Sequence, residues 1–199
     1  MKFFTATKNG HKVEEFKRIF EPLGIETVSE GELVGAGGAP EPEETGKTFS
    51  ENALIKARAG CLFSGLPTVA DDTGLCVAAL GGAPGIYSAR YAGVHGDTAA
   101  NNEKLLKELK GVPESERGAY FECAVACVFP DGREFVVTGR CDGKIAEEAE
   151  GNGGFGYDCL FVSEVGRFSL ITGEKKDSVS HRGKALKAFS EKIGQYIGE

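Results

Sequence analysis

The spacing of apolar positions changes along the chain. Lys2 to Thr7 carries Phe3 and Phe4 and predicts a short first strand. Val13, Phe16, Ile19, Phe20 and Leu23 then recur at intervals of three and four. That is one face of a helix, opened by Asn9 and stopped by Gly24. Ile25 to Val28 predicts a second strand, and the Gly-, Pro- and Glu-rich stretch Leu33 to Gly46 a loop. Thr48-Phe49-Ser50-Glu51 spells a capping box, so a helix is expected from Ser50 to Phe63, ended by Gly65 and Pro67. Thr68 to Ala70 reads as a short buried strand with Asp71-Asp72-Thr73-Gly74 at its end. Asp97 to Lys110 predicts a helix with Leu105, Leu106 and Leu109 on one side. Ala119 to Phe129 and Arg133 to Arg140 predict a hairpin across Pro130-Asp131-Gly132. Tyr157 to Val162 alternates and reads as a strand. Ser180 to Ile197 reads as a last helix with Ala185, Leu186, Phe189, Ile193 and Ile197 on its apolar face. Strands and helices alternate first, then strands dominate, which predicts an α/β fold on a mixed sheet.

Composition narrows the class. The 199 residues, 41% hydrophobic and 27% charged, suit one globular domain. No apolar run is long enough to span a bilayer, and MKFFTATKNG turns polar too early for a signal peptide, so a cytoplasmic protein is expected. A net charge of −7 argues against a general nucleic-acid surface. The six cysteines form no C-x-x-C and no zinc pattern with histidine. They read as buried free thiols.

Polar residues gather in four clusters where elements meet. Thr7-Lys8-Asn9-Gly10-His11-Lys12 lies between a strand and a helix, whose free N–H groups attract phosphate. Glu43-Glu44-Thr45-Gly46 precedes Asn52 and Lys56. Its acids can supply oxygen ligands to Mg²⁺ or stand solvated. Asp71-Asp72 sets two carboxylates side by side in a buried stretch, where like charges repel unless a cation compensates. Lys175-Lys176-Asp177-Ser178-Val179-Ser180-His181-Arg182 is cationic and opens a helix. Ser180 and His181 are only chain neighbours, and nothing around them reads as a nucleophile elbow.

Gly151, Gly153 and Gly156 show the G-x-G-x-x-G spacing of a dinucleotide loop. That fingerprint must open a helix early in the chain, whereas here it precedes a predicted strand late in it. No Walker A loop occurs. Acids for Mg²⁺, lysines for phosphate and a glycine turn carrying Phe155 point instead to a nucleotide site of another kind.

The stretches TKNGHK, ETGKTFSENALIKA, ADDTGL, GGAPGIYSARYAG, GGFGYD and SHRGKAL come in this order over nearly the whole chain. They resemble the inosine triphosphate pyrophosphatases, also called non-standard purine NTP pyrophosphatases. The resemblance implies a long curved mixed β-sheet with flanking helices and two lobes around a central nucleotide cleft. It also implies a homodimer, and a Mg²⁺-dependent hydrolase taking ITP, dITP and XTP to the monophosphate and pyrophosphate. Carried onto this sequence, it puts triphosphate contacts on Thr7, Asn9 and Lys12, within the loop that also holds Lys8, Gly10 and His11, with Lys56 nearby. Glu44 and Asp72 match metal-binding acids. Asp72 is the first choice for general base, with Asp71 the runner-up. Thr73 matches a substrate contact. Phe155, Gly156, Tyr157 and Asp158 match a base-binding loop with Phe155 as the stacking ring, and Lys176, His181 and Arg182 match the residues that read the base. The adjacent Lys175 leaves the lysine assignment open by one position. Cys159 stands where the family usually has proline.

Donors at Lys176, His181 or Arg182 would pair with a purine O6 and oppose the amine of adenine, a mismatch worth roughly 10⁴-fold. Three other readings stay open on the residues alone. They are a nucleotide sensor without hydrolysis, a pyrophosphatase for pyrimidine or modified nucleotides, and a nicotinamide dehydrogenase.

Overall fold

The protein is described from a computed structural model, which covers residues 1–7, 9–33, 38, 41–171 and 173–197, with only the backbone of His11 and Glu15. Lys8, the His11 side chain and residues 34–37, 39 and 40 of the loop expected before Gly46 therefore lie outside the described residues. Seven strands form one mixed sheet: β1 (Lys2–Thr5), β2 (Glu26–Val28), β3 (Thr68–Val77), β4 (Gly118–Val128), β5 (Glu134–Ile145), β6 (Phe161–Ser163) and β7 (Gly166–Arg167). Their order across the sheet is β2-β1-β3-β4-β5-β6-β7. β1 is parallel to both β2 and β3, and β6 is antiparallel to β5 and β7. The helices are α1 (Gly10–Phe20), α2 (Phe49–Ser64), α3 (Thr98–Glu108), α4 (Gly173–Val179) and α5 (His181–Ile197). No described helix is long and apolar enough to cross a membrane.

The chain groups into two compact units. The first holds residues 1–72, 124–138 and 185–199 and the second 73–123 and 139–184. In the first, aromatic rings make the core. Phe16 stacks on Phe20 at 5.7 Å, Phe20 meets Phe189 at 5.1 Å, and Phe3 meets Phe129 edge-on at 6.0 Å. The predicted helical stripe on α1 supplies two of these rings. α2 starts where the capping box requires. Thr48 Oγ1 accepts from the Glu51 N–H, Glu51 reaches back to the Thr48 N–H, and Gly65 ends the helix with a left-handed φ of 67°. In the second unit Leu75, Leu105, Leu109, Phe121, Ile145, Leu160, Phe161 and Phe168 are buried together.

Four expectations are corrected. The strand expected over Thr68 to Ala70 runs to Val77, so Asp71 and Asp72 lie inside β3 rather than beyond it. Asp-Asp-Thr-Gly has the composition of a turn, but lysines from neighbouring helices compensate both acids and the strand continues. Residues 157–160 form a helical turn instead of a strand. Leu160 and Phe161 both donate their N–H to the Tyr157 carbonyl, and only then does β6 begin. The buried set there is Tyr157, Asp158, Leu160 and Phe161, which is helical spacing hidden in an apparently alternating run. α4 is a separate short helix that the last apolar stripe does not announce. β5 extends to Ile145, beyond the expected end at Arg140.

Candidate active site

The candidate site residues fall into two groups of side chains, one in each unit. In the first unit β3 places two adjacent carboxylates, and successive strand side chains point to opposite faces. They accordingly meet different helices. Asp71 Oδ2 lies 2.7 Å from the Lys12 ammonium of α1. Asp72 Oδ1 lies 3.0 Å from the Lys56 ammonium of α2, and Asp72 Oδ2 accepts from Asn52 Nδ2 at 3.3 Å. Lys56 also reaches Glu44 Oε1 at 2.9 Å. Glu44 and Asp72, twenty-eight residues apart, thus converge on one ammonium.

This arrangement shifts the titration of both Lys56 and Asp72. Burial disfavours the charged form of Lys56, but Asp72, then Asp71 and Glu44, overcome it and hold its pKa above the ordinary lysine value. Burial raises the Asp72 pKa, and Glu44 adds to the rise, while Lys56 and Asn52 work against it. The nearest ammonium differs between the two acids, although both raise the Lys56 pKa, and they differ in access, with the Asp71 side chain 1% exposed and that of Asp72 13%.

At the start of α1, Asn9 has the position of an N-cap, since its carbonyl accepts from the Val13 N–H at 3.1 Å. Its own N–H donates to Thr7 Oγ1 at 3.2 Å. Gly10 opens the helix, and Lys12 sits in its first turn. Thr73 follows Asp72 in β3, half-buried at the start of the second unit.

A divalent cation fits the donor chemistry in a limited way. Glu44 and Asp72 bring two hard carboxylate oxygens to a point already held by a cation. Among the described residues no group of three or more His, Cys, Asp or Glu could hold a metal. Two carboxylates would match the usual protein share for a Mg²⁺ whose shell is completed by phosphate oxygens and water.

The second group surrounds Phe155, whose ring is 42% exposed. The Arg182 guanidinium lies 5.5 Å and the Lys176 ammonium 5.3 Å from its centroid. Lys176 is anchored by buried Asp158, whose Oδ2 lies 2.5 Å away and also accepts the Phe155 N–H at 2.9 Å. Lys175 is exposed, so Lys176 is the lysine directed to this ring. Gly154 has no room for a side chain, since a Cβ would come within 2.0 Å of Asp158 Oδ2. His181 is buried, its ring stacked 4.7 Å from Phe121 and 6.5 Å from Phe168. Tyr157, expected among the substrate contacts, is buried and donates its hydroxyl to the Ser88 carbonyl at 2.8 Å, so its side chain serves packing. Gly156 contributes its carbonyl, which accepts from Asn102 of α3 at 3.0 Å.

Sequence reasoning passed over three supporting residues. Asn52 stood beside Lys56 in the second cluster without a role. Asn102 and Phe168 carried no signal, because they reach the base group only through the fold.

Residues 3–192 match the model of the Ham1 family. A Corynebacterium efficiens protein named dITP/XTP pyrophosphatase is 48% identical over 207 aligned residues, covering 100% of both chains. A protein of the same name from Desulforamulus reducens is 49% identical over 96% of this chain and 94% of its own. Among solved structures, the Staphylococcus aureus Ham1 protein superposes with a TM-score of 0.87 at 35% identity, over 98% of this chain and 100% of its own. The Mycobacterium abscessus nucleoside-triphosphatase, also named dITP/XTP pyrophosphatase, does so with a TM-score of 0.79 at 47% identity, over 95% and 97%. On fold, ordered motifs and full-length similarity alike, this chain belongs to the Ham1 family.

Proposed function

We propose that this chain hydrolyses non-standard purine nucleoside triphosphates (dITP, ITP and XTP) to the monophosphate and pyrophosphate with Mg²⁺, clearing them from the nucleotide pool. Relatives named dITP/XTP pyrophosphatase support the activity. The observation that carries it at the level of atoms is the convergence of Glu44 and Asp72 on Lys56. When bound there, Mg²⁺ would neutralise phosphate charge and acidify a water.

The chain's own groups do the rest. Asp72 is the better proton acceptor of the two acids, because it is more open than Asp71 and not closed off against Lys12. Asp71 instead positions Lys12. Lys12 and Lys56 offset charge on the departing pyrophosphate, aided by the N–H groups of Gly10 to Lys12 in the first turn of α1. Thr73 adds a contact beside Asp72. Phe155 offers a face to the purine. Lys176 and Arg182 donate to O6 and N7 of a 6-oxo purine, where adenine would present a donor to a donor. His181, stacked against Phe121 with Phe168 alongside, fixes the end of α5 from which Arg182 projects.

Pyrophosphate release from dITP, ITP, XTP, GTP, ATP and dUTP, measured in parallel with Mg²⁺, tests the reading. Rapid release from the first three and little from ATP is expected. Preference for another nucleotide would overturn the assignment of Phe155, Lys176 and Arg182, and binding without release would leave a sensor. We further read residues 1–199 as one pyrophosphatase domain that works as a homodimer. Sedimentation as a 21.0 kDa monomer would refute that.

A further inference from the structure

Asn52 stands at the end of the first turn of α2, wholly buried, with both ends of its amide engaged. Its Oδ1 accepts the Gly46 N–H at 2.9 Å, and its Nδ2 donates to Asp72 Oδ2 at 3.3 Å. Gly46 lies two residues after Glu44. The loop is pressed against the helix there, because a Cβ on Gly46 would stand 2.5 Å from Asn52 Oδ1 and 2.7 Å from Glu51 Cβ. The neighbouring Lys47 and Thr48 N–H groups both donate to Glu51 Oε2, at 2.5 and 3.2 Å. The loop that carries Glu44 is thus seated on the first turn of α2, and only Asn52 among these tethers also grips the strand acid.

The task needs an acceptor at one end and a donor at the other. Aspartate could accept from the loop but would set a carboxylate against Asp72, and leucine of similar size would leave both partners without a bond. We propose that Asn52 is a positioning residue that sets the spacing between Glu44 and Asp72 and thereby the protein's grip on a divalent cation. This rests on the reading of those two acids as cation ligands.

The test compares Asn52→Leu and Gly46→Ala with the wild type and Glu44→Gln as full chains. The readouts are the Mg²⁺ concentration for half-maximal pyrophosphate release from dITP, amide exchange across residues 43–48 without metal, and the inhibition constant of inosine. Both variants should raise the Mg²⁺ requirement roughly 10- to 100-fold, as loss of a ligand-orienting partner does. Both should also speed exchange of the loop. Inosine inhibition should stay within about twofold, as for an independent site, whereas general loss of structure would weaken it too. A wild-type Mg²⁺ requirement and unchanged exchange in Asn52→Leu would overturn the positioning role, provided Glu44→Gln is impaired. If Glu44→Gln also keeps the wild-type requirement, the cation reading itself has failed. Should Asn52→Leu not fold, Gly46→Ala decides alone, because it displaces the loop from the other end of the same hydrogen bond.

Discussion

Asp71 and Asp72 are neighbours in sequence with different partners, and replacing each by asparagine separates their work. Asparagine keeps the shape of the side chain and removes one charge. At position 71 it leaves Lys12 facing a neutral amide across 2.7 Å. At an effective dielectric near 20 that contact is worth about 6 kcal/mol of attraction. Desolvation of the buried carboxylate offsets much of it, and removing one member of such a pair costs about 3–5 kcal/mol. The Lys12 side chain is 18% exposed and can turn toward water, so the lower end, about 3 kcal/mol, applies. For a chain of this size each kcal/mol moves the melting temperature by about 2–4 °C, so Asp71→Asn should melt about 6–12 °C below the wild type. Asp72→Asn should behave in the opposite way. Burial holds the Asp72 carboxylate at a cost, and Lys56 keeps Glu44 as a partner, so the fold should lose little while pyrophosphate release disappears. Calorimetric melting and dITP hydrolysis on both variants provide the assay. Adding Lys12→Met to Asp71→Asn should restore part of the lost stability, since no unpaired charge remains. The reasoning is refuted if Asp71→Asn melts within about 1 °C of the wild type, a shift too small for a buried pair. It is refuted equally if the two variants are interchangeable in stability and rate.

Phe155→Ala should lower kcat/KM for dITP by about 5- to 150-fold, the range of one lost base-stacking contact, with little change in melting temperature because the ring is substantially exposed. His181→Ala should lose about 2–4 kcal/mol of stability by leaving a cavity beside Phe121 and Phe168, read as a lower denaturant midpoint. Chelation of divalent cations should stop pyrophosphate release without altering far-UV circular dichroism, and Mg²⁺ should restore it. Survival of activity would remove the cation from the site. Native protein should expose one reactive thiol, Cys159, since the other five are buried. Burial raises the Cys159 pKa above its ordinary 9.0, so labelling by a disulfide reagent should be slow at neutral pH, speed up steadily with pH and still be rising at pH 9.0, where an ordinary thiol begins to level off.

The helices were legible because their signals are local. Thr48 with Glu51, Gly24 and Gly65, and the stripe Phe16, Ile19, Phe20 each act within a few residues, and the structure places them as read. The strands were less so. β3 was cut short because Asp-Asp-Thr-Gly has turn chemistry, and the lysines that let it stay extended come from α1 and α2. The turn over residues 157–160 was hidden because Tyr157, Cys159 and Phe161 alternate as a strand would, while burial follows helical spacing. For the site, ordered motifs pointed to Lys12, Glu44, Lys56, Asp72, Phe155, Lys176 and Arg182. What they could not give was pairing. That Asp71 belongs to Lys12, that Asp158 anchors Lys176, and that Tyr157 turns inward to Ser88 depend on chain reversals no local pattern encodes.

The first unit is assembled from three stretches of chain and the second from two, and the path passes between them at 72/73, 123/124, 138/139 and 184/185. Every passage falls inside a continuous element: β3, β4, β5 and α5. No single excision or gene fusion can therefore deliver one unit without the other. The groups suited to phosphate and those suited to the base cannot be exchanged between proteins as cassettes. On the proposed assignment of the base to Phe155, Lys176 and Arg182, a lineage that alters its choice of nucleotide would do so by point substitutions in residues 73–123 and 139–184, leaving the ion-paired acids and lysines of the first unit untouched.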